Sequence, residues 1–351
     1  MTSSNSKYDK KAVILTLFRA NNIGAFLQAY SMMDLLQNLG YDTSFGFLPD
    51  KTASRRSLTH KILGYIKAGD IRKLLWKAKN VSMYREIQAT LPATDLSDKP
   101  VFDAAIIGSD EVWSINNPNI AHQAYYLGHE VNAAHKIAYA PCGNGITASE
   151  FRQLAPNEKF SEFTALSARD NDTLKTVEMI SGRNVTRVVD PTMLIESFDH
   201  KIVDCKEKSP FILVYSYGID KQMVKAIKKL AKSKGLKLIS VGTYNSWCDQ
   251  NVIADPWEFL GYLKAARYVI TSTFHGTILS IKFNKQFICL AANTFKVIDA
   301  LSFYNLSNRN ASSPEQIPHL FNQQIDYDPV NTIISTSRNT SMHYLKNALA
   351  E

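Results

Sequence analysis

The chain has 351 residues, 45% of them hydrophobic and 21% charged, with 15 glycines and 12 prolines. That balance fits a folded protein with room for two domains and excludes disordered, collagen-like and low-complexity classes. The formal net charge of +8 is local, because residues 51–86 hold ten Lys and Arg against Asp70 and Glu86 while the remainder of the chain balances.

No apolar run approaches the roughly 18 residues that a membrane-spanning helix needs, and residues 1–11 are polar, without a signal-length apolar core. A cytoplasmic protein is therefore expected. Cys142, Cys205, Cys248 and Cys289 lie 41 or more residues apart, without CxxC or finger spacing; reduced, mostly buried thiols and no metal site are the expectation.

In chain order, a β-type run over 12–18 leads through a polar loop to Leu27, Tyr30, Met33, Leu36 and Leu39 at helical spacing, which Gly40 stops. Residues 41–47 alternate like a second strand. The basic stretch then reads as two amphipathic helices, over 57–68 and 70–91, making residues 51–91 a helical insertion. Strands recur at 104–107, 137–140, 164–168 and 186–189, with helical patterns between several of them. A polar break over 196–210 follows. The pattern then restarts, with strands at 211–215, 236–241, 268–271 and 287–290 and helices over 220–234, 256–266 and 276–283. Strands alternating with helices imply parallel sheets covered on both faces. The expected fold class is α/β, with one Rossmann-like domain over 1–196, a second over 210–330, and a helix over 331–351 positioned to cross back to the first. A ligand would sit at the carboxyl ends of the strands, in the cleft between the sheets.

Three loops at strand ends carry candidate chemistry. Gly108-Ser109-Asp110-Glu111-Val112-Trp113 places a hydroxyl and a carboxylate after a tight turn, although Asp110 would equally serve as a helix cap. Ser272-Thr273-Phe274-His275-Gly276-Thr277 puts a histidine beside a helix start, where free amides and the helix dipole favour anions. Ser167-Ala168-Arg169-Asp170 supplies a guanidinium suited to carboxylate or phosphate, or to an ordinary Arg–Asp pair. Asp190-Pro191-Thr192 reads as a turn into the interdomain segment. There is no GxGxxG after the first strand, no GxxxxGK[ST], no HExxH and no GxSxG, which removes support for dehydrogenase, P-loop, zinc-hydrolase and α/β-hydrolase readings.

Taken in order, these motifs, together with residues 22–30 (Asn-Ile-Gly-Ala-Phe-Leu-Gln-Ala-Tyr) and Phe102-Asp103 ahead of Gly108, resemble the polysaccharide pyruvyl transferase family over roughly residues 12–290. The resemblance implies a glycosyltransferase-B-like pair of domains around an interdomain cleft. It also implies transfer of pyruvate from phosphoenolpyruvate to a sugar of a surface glycan or its lipid-linked precursor, forming a ketal and releasing phosphate. No cofactor or metal is implied beyond that donor. On this carry-over Arg169 holds an anionic group, Asp110 and His275 are the acid/base pair, and Gly276 and Thr277 offer amides to phosphate. Asn22, Gln28, Gly108, Ser109, Ser272 and Thr273 complete the binding set. Thr273 stands where some relatives have arginine, and Tyr139-Ala140-Pro141-Cys142-Gly143 departs from the more common small-Ser-Phe-Gly form.

Two other functions compete: a glycosyltransferase of the same architecture using a nucleotide sugar, and an inactive glycan-binding relative. The basic stretch suits a solvated face or an anionic membrane surface, which would hold the protein peripherally on the cell membrane. Its few aromatics, Tyr65, Trp76 and Tyr84, argue against nucleic acid.

Overall fold

The computed structural model describes residues 8–49, 71–117, 120, 124–291 and 294–351. Two five-stranded parallel sheets organise it, forming two Rossmann-like domains. The first contains β1 (Lys10–Leu15), β2 (Tyr41–Phe47), β3 (Ala93–Asp95), β4 (Val101–Ile107) and β5 (Asn132–Ala138) in the order β3-β2-β1-β4-β5. A two-stranded ladder of β6 (Ser167–Ala168) and β7 (Thr186–Arg187) stands beside it. The second sheet contains β8 (Phe211–Tyr215), β9 (Lys237–Val241), β10 (Gln250–Val252), β11 (Tyr268–Thr271) and β12 (Phe287–Cys289) in the order β10-β9-β8-β11-β12. Both sheets thus reverse direction next to their own first strand, at β1/β4 and β8/β11, and such a switch point leaves a crevice at the strands' carboxyl ends.

The central strands are buried along their length. Every residue of β8 and β11 is buried, the signature of a sheet covered on both faces. Helices start where the sequence supplies caps. Asn22 accepts from the Gly24 and Ala25 amides to open α1 (Ile23–Asn38), and Asp255 and Glu258 form a reciprocal capping box at the start of a helix over Pro256–Ala265. One apolar core runs through both domains. At their junction Trp257 meets Tyr30 edge-on at 4.7 Å and Phe26 at 5.7 Å.

Several elements differ from the sequence reading. β6 and β7 hold only two residues each, since the chain leaves the ladder at Arg169 and Val188 and heads towards the cleft. The short edge strands β3 and β10 were not expected; their sequences, Ala-Thr-Asp and Gln-Asn-Val, carry little apolar signal. The helix over 57–68 lies outside the described residues. Its companion is α2 (Ile71–Gln88), three residues shorter than expected at its end. Cys142 and Cys289 are buried, whereas Cys205 and Cys248 are only half-buried, and all four are free thiols.

The final helix, Asp328–Ala350, packs on the first domain. Ser341 Oγ accepts from the Val189 amide at 2.9 Å, Arg338 Nε donates to the Met193 carbonyl at 2.8 Å, and Tyr344 Oη donates to the Ala138 carbonyl at 2.8 Å. Among the described residues no helix is long and apolar enough to cross a membrane.

One half-buried cation ties the domains together. Lys282 Nζ donates to the carbonyls of Ile195 and Glu196, and burial, reinforced by Arg338, pushes its ammonium down to about 7 from an ordinary 10.5. Between those two values the unfolded chain keeps a proton that the folded chain has shed, so this group makes stability rise with pH across that window. Below it both states are protonated and the burial penalty is fully present. The urea midpoint of Lys282→Met should therefore rise less than that of the wild type between pH ~7 and pH ~9. Equal slopes would show that Lys282 does not titrate there.

Candidate active site

The two switch points face each other across a cavity of about 490 Å³. The first domain lines it with Asn22 after β1 and with Asp110 and Glu111 after β4; the second contributes Tyr215, Tyr217 and the segment Ser272–His275 after β11. Volumes of this order hold small-molecule substrates.

The helix carrying His275, α3 (Phe274–Lys282), begins two residues earlier than its sequence pattern indicates because Thr273 is its N-cap. Thr273 Oγ1 accepts from the Gly276 amide at 2.9 Å, and its carbonyl accepts from the Thr277 amide at 3.1 Å. The expected offer of those two amides to phosphate is thus corrected: both are already bonded. Gly276 is needed for a different reason, since a Cβ there would lie 2.1 Å from Thr271 Oγ1. The amides of Phe274 and His275, one step nearer the helix start, have no acceptor among the described residues. Thr273→Ala removes the cap and should cost about 0.5–2 kcal/mol in urea unfolding; an unchanged midpoint would contradict the cap's role.

His275 is 7% exposed and sits where the two domains touch. A Cβ on Gly24 would come within 2.0 Å of His275 Cγ, so only glycine at the start of α1 lets the imidazole occupy this place. Its Nε2 lies 3.5 Å from Asp190 Oδ2, close enough for an ion pair when protonated, with no hydrogen-bond partner among the described residues.

Asp190 is the hub. Oδ1 accepts from the Thr192 amide at 3.0 Å and the Thr192 hydroxyl at 2.8 Å. Oδ2 accepts from Arg169 Nη1 at 2.9 Å and from Ser109 Oγ at 3.2 Å, and also faces His275. Burial works to raise its pKa, but His275 and Arg169 overcome that and hold the carboxyl well below the usual carboxylate range. The sequence reading gave Asp190 only a turn role; it does cap a short helix, and it also joins three motifs from two domains.

Arg169 requires a correction. Expected on an anionic group of the donor, its guanidinium instead stands behind the cavity wall, 3.9 Å over the ring of Phe274 and 3.9 Å from Asp110 Oδ1. Burial opposes its charge, while Cys142, Asp190, Asp110 and Asp170 favour it and prevail. Its Nε and Nη2 have no hydrogen-bond partner among the described residues. Asp110 itself reaches the cavity from a left-handed backbone, φ 69°, which Asp tolerates better than most residues. The Pro141-Cys142-Gly143 turn braces that loop: the Cys142 amide donates to the Asp110 carbonyl at 2.8 Å.

Of the expected set, Asp110, His275, Asn22, Ser272 and Thr273 line the cavity. Ser109 is wholly buried, its carbonyl accepting from Thr16 Oγ1 at 3.0 Å, and Gln28 in turn donates to Thr16 Oγ1 at 2.9 Å. Gly108 backs onto the Tyr139 carbonyl, 2.2 Å from where its Cβ would stand. These residues, with Thr277, shape the loops from behind and do not face the ligand space. Sequence reasoning missed Lys296, which enters the cavity from the helix over Phe295–Phe303 and pairs with Glu111. Burial lowers its ammonium from the ordinary value, against the pull of Asp110. No motif marks Lys296, since it belongs to no strand-end loop. Among the described residues no group of three or more His, Cys, Asp or Glu could hold a metal ion.

Two parallel-sheet domains with facing switch points and polar side chains converging from both define a glycosyltransferase-B-like fold. Solved structures agree on the fold. The MnaA–UDP complex of S. aureus is 12% identical with a TM-score of 0.52, over 97% of this chain and 98% of that one. UDP-GlcNAc 2-epimerase from Neisseria meningitidis, bound to UDP-GlcNAc, is 10% identical with a TM-score of 0.52, over 96% of this chain and 100% of that one. No curated protein sequence matches the chain. The chain belongs to the polysaccharide pyruvyl transferase family, whose model matches residues 22–294.

Proposed function

We propose that the protein transfers pyruvate from phosphoenolpyruvate to two hydroxyls of a glycan sugar, forming a ketal and releasing phosphate. The observation that carries this reading is the convergence of His275 and Asp110 on one cavity above the buried Asp190, within the residues matched by the family model. In the reaction the CH₂ carbon of the enol takes a proton and a sugar oxygen bonds to C2, losing its proton to a base. The second sugar oxygen then bonds to C2, losing its proton to a base, as the C2–O bond to phosphate breaks and its electron pair leaves with phosphate. His275 and Asp110 are the groups placed for these proton movements. Lys296 and the free amides of Phe274 and His275 suit the donor's anionic groups. Arg169 acts as a positioning residue, fixing Asp190 and standing behind Asp110.

Phosphate release from phosphoenolpyruvate should depend on added glycan acceptor, and the acceptor should gain an acid-labile carboxylate. Release dependent on a nucleotide sugar instead would move the assignment to glycosyl transfer, and donor binding without turnover would indicate a glycan-binding relative. We also propose an anionic membrane as a partner surface, supported by exposed Ile71 and Leu75 beside exposed Arg72 on α2. Trp76, on the same helix, packs against Tyr244, ring centroids 5.9 Å apart. Co-sedimentation with anionic vesicles that persists at high salt, or fails at low salt, would count against the membrane role.

A further inference from the structure

The helix Lys221–Ser233, between β8 and β9, carries a stripe of lysine along its outer face. Lys221, Lys225, Lys228, Lys229 and Lys232 are all exposed. At 3.6 residues per turn they fall within an arc of about 100°, which no other side chain of the helix shares, and run about 16 Å along its axis. Ile227, Leu230 and Ala231 on the opposite side are buried in the core of the second domain, which fixes the stripe outward. Between residues 209 and 248 Asp220 is the one acid against seven lysines, and its carboxylate is engaged by the Gln222 and Met223 amides at the helix start. The two lysines outside the stripe have partners: Lys234 Nζ donates to Asn322 Oδ1 at 3.1 Å, and Lys237 pairs with Glu207 at 3.2 Å. None of the five within it makes an ion pair or a side-chain hydrogen bond among the described residues.

Lysines three and four residues apart on one helix face repel, as Lys225 does with Lys221, Lys228 and Lys229. A face built only for solvent relieves such repulsion with interspersed glutamates, and this one has none. A counter-charge from outside the chain relieves it instead. The stripe is convex, so it encloses no small anion, and it lacks the apolar centre of a protein interface. It also lacks arginine to fork onto phosphates and aromatic rings to stack on bases. Five point charges on flexible stems suit an array of headgroups that move laterally, and clusters of four to eight such residues on an amphipathic helix match anionic lipid. Its position agrees. A second cavity, of about 490 Å³, adjoins the first and shares Tyr217 with it; α2 walls it on one side, and on the other stands the turn Ser216–Gly218, which leads into the lysine helix. We propose that this helix is the second domain's contact with a bilayer of anionic phospholipid, made by charge without insertion, beside the cleft mouth that α2 flanks from the first domain. It is a separate surface from the one proposed on α2. That the bilayer carries the glycan acceptor rests on the pyruvyl transfer reading; the contact itself does not.

The test is co-sedimentation of the full chain with phosphatidylcholine vesicles, pure or containing about 30% phosphatidylserine, at low and high salt. The wild type should bind only the anionic vesicles and release them as salt rises. Changing all five lysines of the stripe to Gln should weaken that binding by at least about tenfold, with the thermal midpoint and the turnover on a water-soluble acceptor unchanged. Wild-type binding by this variant would overturn the proposal; if Ile71→Gln/Leu75→Gln then abolished binding, the contact on α2 would stand alone. Duplex DNA that bound more tightly than the vesicles at the same salt, and was lost in the same variant, would replace the bilayer with nucleic acid and overturn the proposal too. Vesicle binding that depends on the five lysines, in a protein that transfers no pyruvate, would sink the reaction assignment and uphold the membrane contact.

Discussion

Replacing His275 with alanine is expected to lower turnover roughly 10²- to 10⁴-fold, the span that one general acid or base contributes. The imidazole is a titratable ring that the second domain presents to the cavity, and it is held from both sides. Gly24 leaves it just enough room, and Asp190 Oδ2 stands 3.5 Å from Nε2. The substitution removes a side chain at the domain junction without unpairing Asp190 from Arg169, so the folded state should survive. A folded His275→Ala protein with wild-type turnover would reduce the residue to packing.

The largest stability effect is expected at Asp190. Asp190→Asn keeps the shape but removes the charge that faces Arg169 at 2.9 Å in a fully buried setting. Breaking a buried ion pair by removing one partner typically costs about 3–5 kcal/mol, because the remaining charge is left without compensation. The folded-state pKa of Asp190 is depressed below the ordinary 3.8, so the stability it contributes is present above that value and is lost as pH falls through the lower, folded-state value. The gap between wild type and Asp190→Asn should accordingly be full at neutral pH and narrow in strong acid. Urea midpoints at both pH values would check this, and a gap that stays constant into acid would mean that Asp190 does not carry the charge. A double substitution with Arg169→Met should recover part of the loss, since it removes the orphaned cation.

How much of this was legible in the sequence depends on range. Continuous apolar runs such as 211–215 and 268–271 announce buried parallel strands, and the structure places β8 and β11 over those same residues. Edge strands β3 and β10 escape because a strand paired on one side needs little apolar content. The strand-end loops were identifiable because glycines, hydroxyls and a histidine cluster there. Which members face the ligand was not, because orientation is set by partners far away in the chain. Arg169 stands behind the cavity wall because Asp190, 21 residues later, and Phe274 hold it. Lys296 reaches Glu111 across 185 residues, a distance over which local pattern carries no information. The helix start at Phe274 was misplaced by two residues because Gly276 looks like a boundary, whereas it is a site of close approach to Thr271.

The last helix has a consequence for how the molecule is made. Residues 328–350 emerge from the ribosome after both sheets, yet they complete the packing of the earlier one through Ser341, Arg338 and Tyr344. The amino-terminal half therefore waits, through synthesis of the whole second half, with the Val189 amide and the Ala138 carbonyl short of their final partners. Separating the halves at the interdomain segment would strand a polar and apolar seam on one fragment and an unsupported helix on the other. Co-expressed halves should regain a folded complex only when the carboxyl-terminal fragment retains that helix.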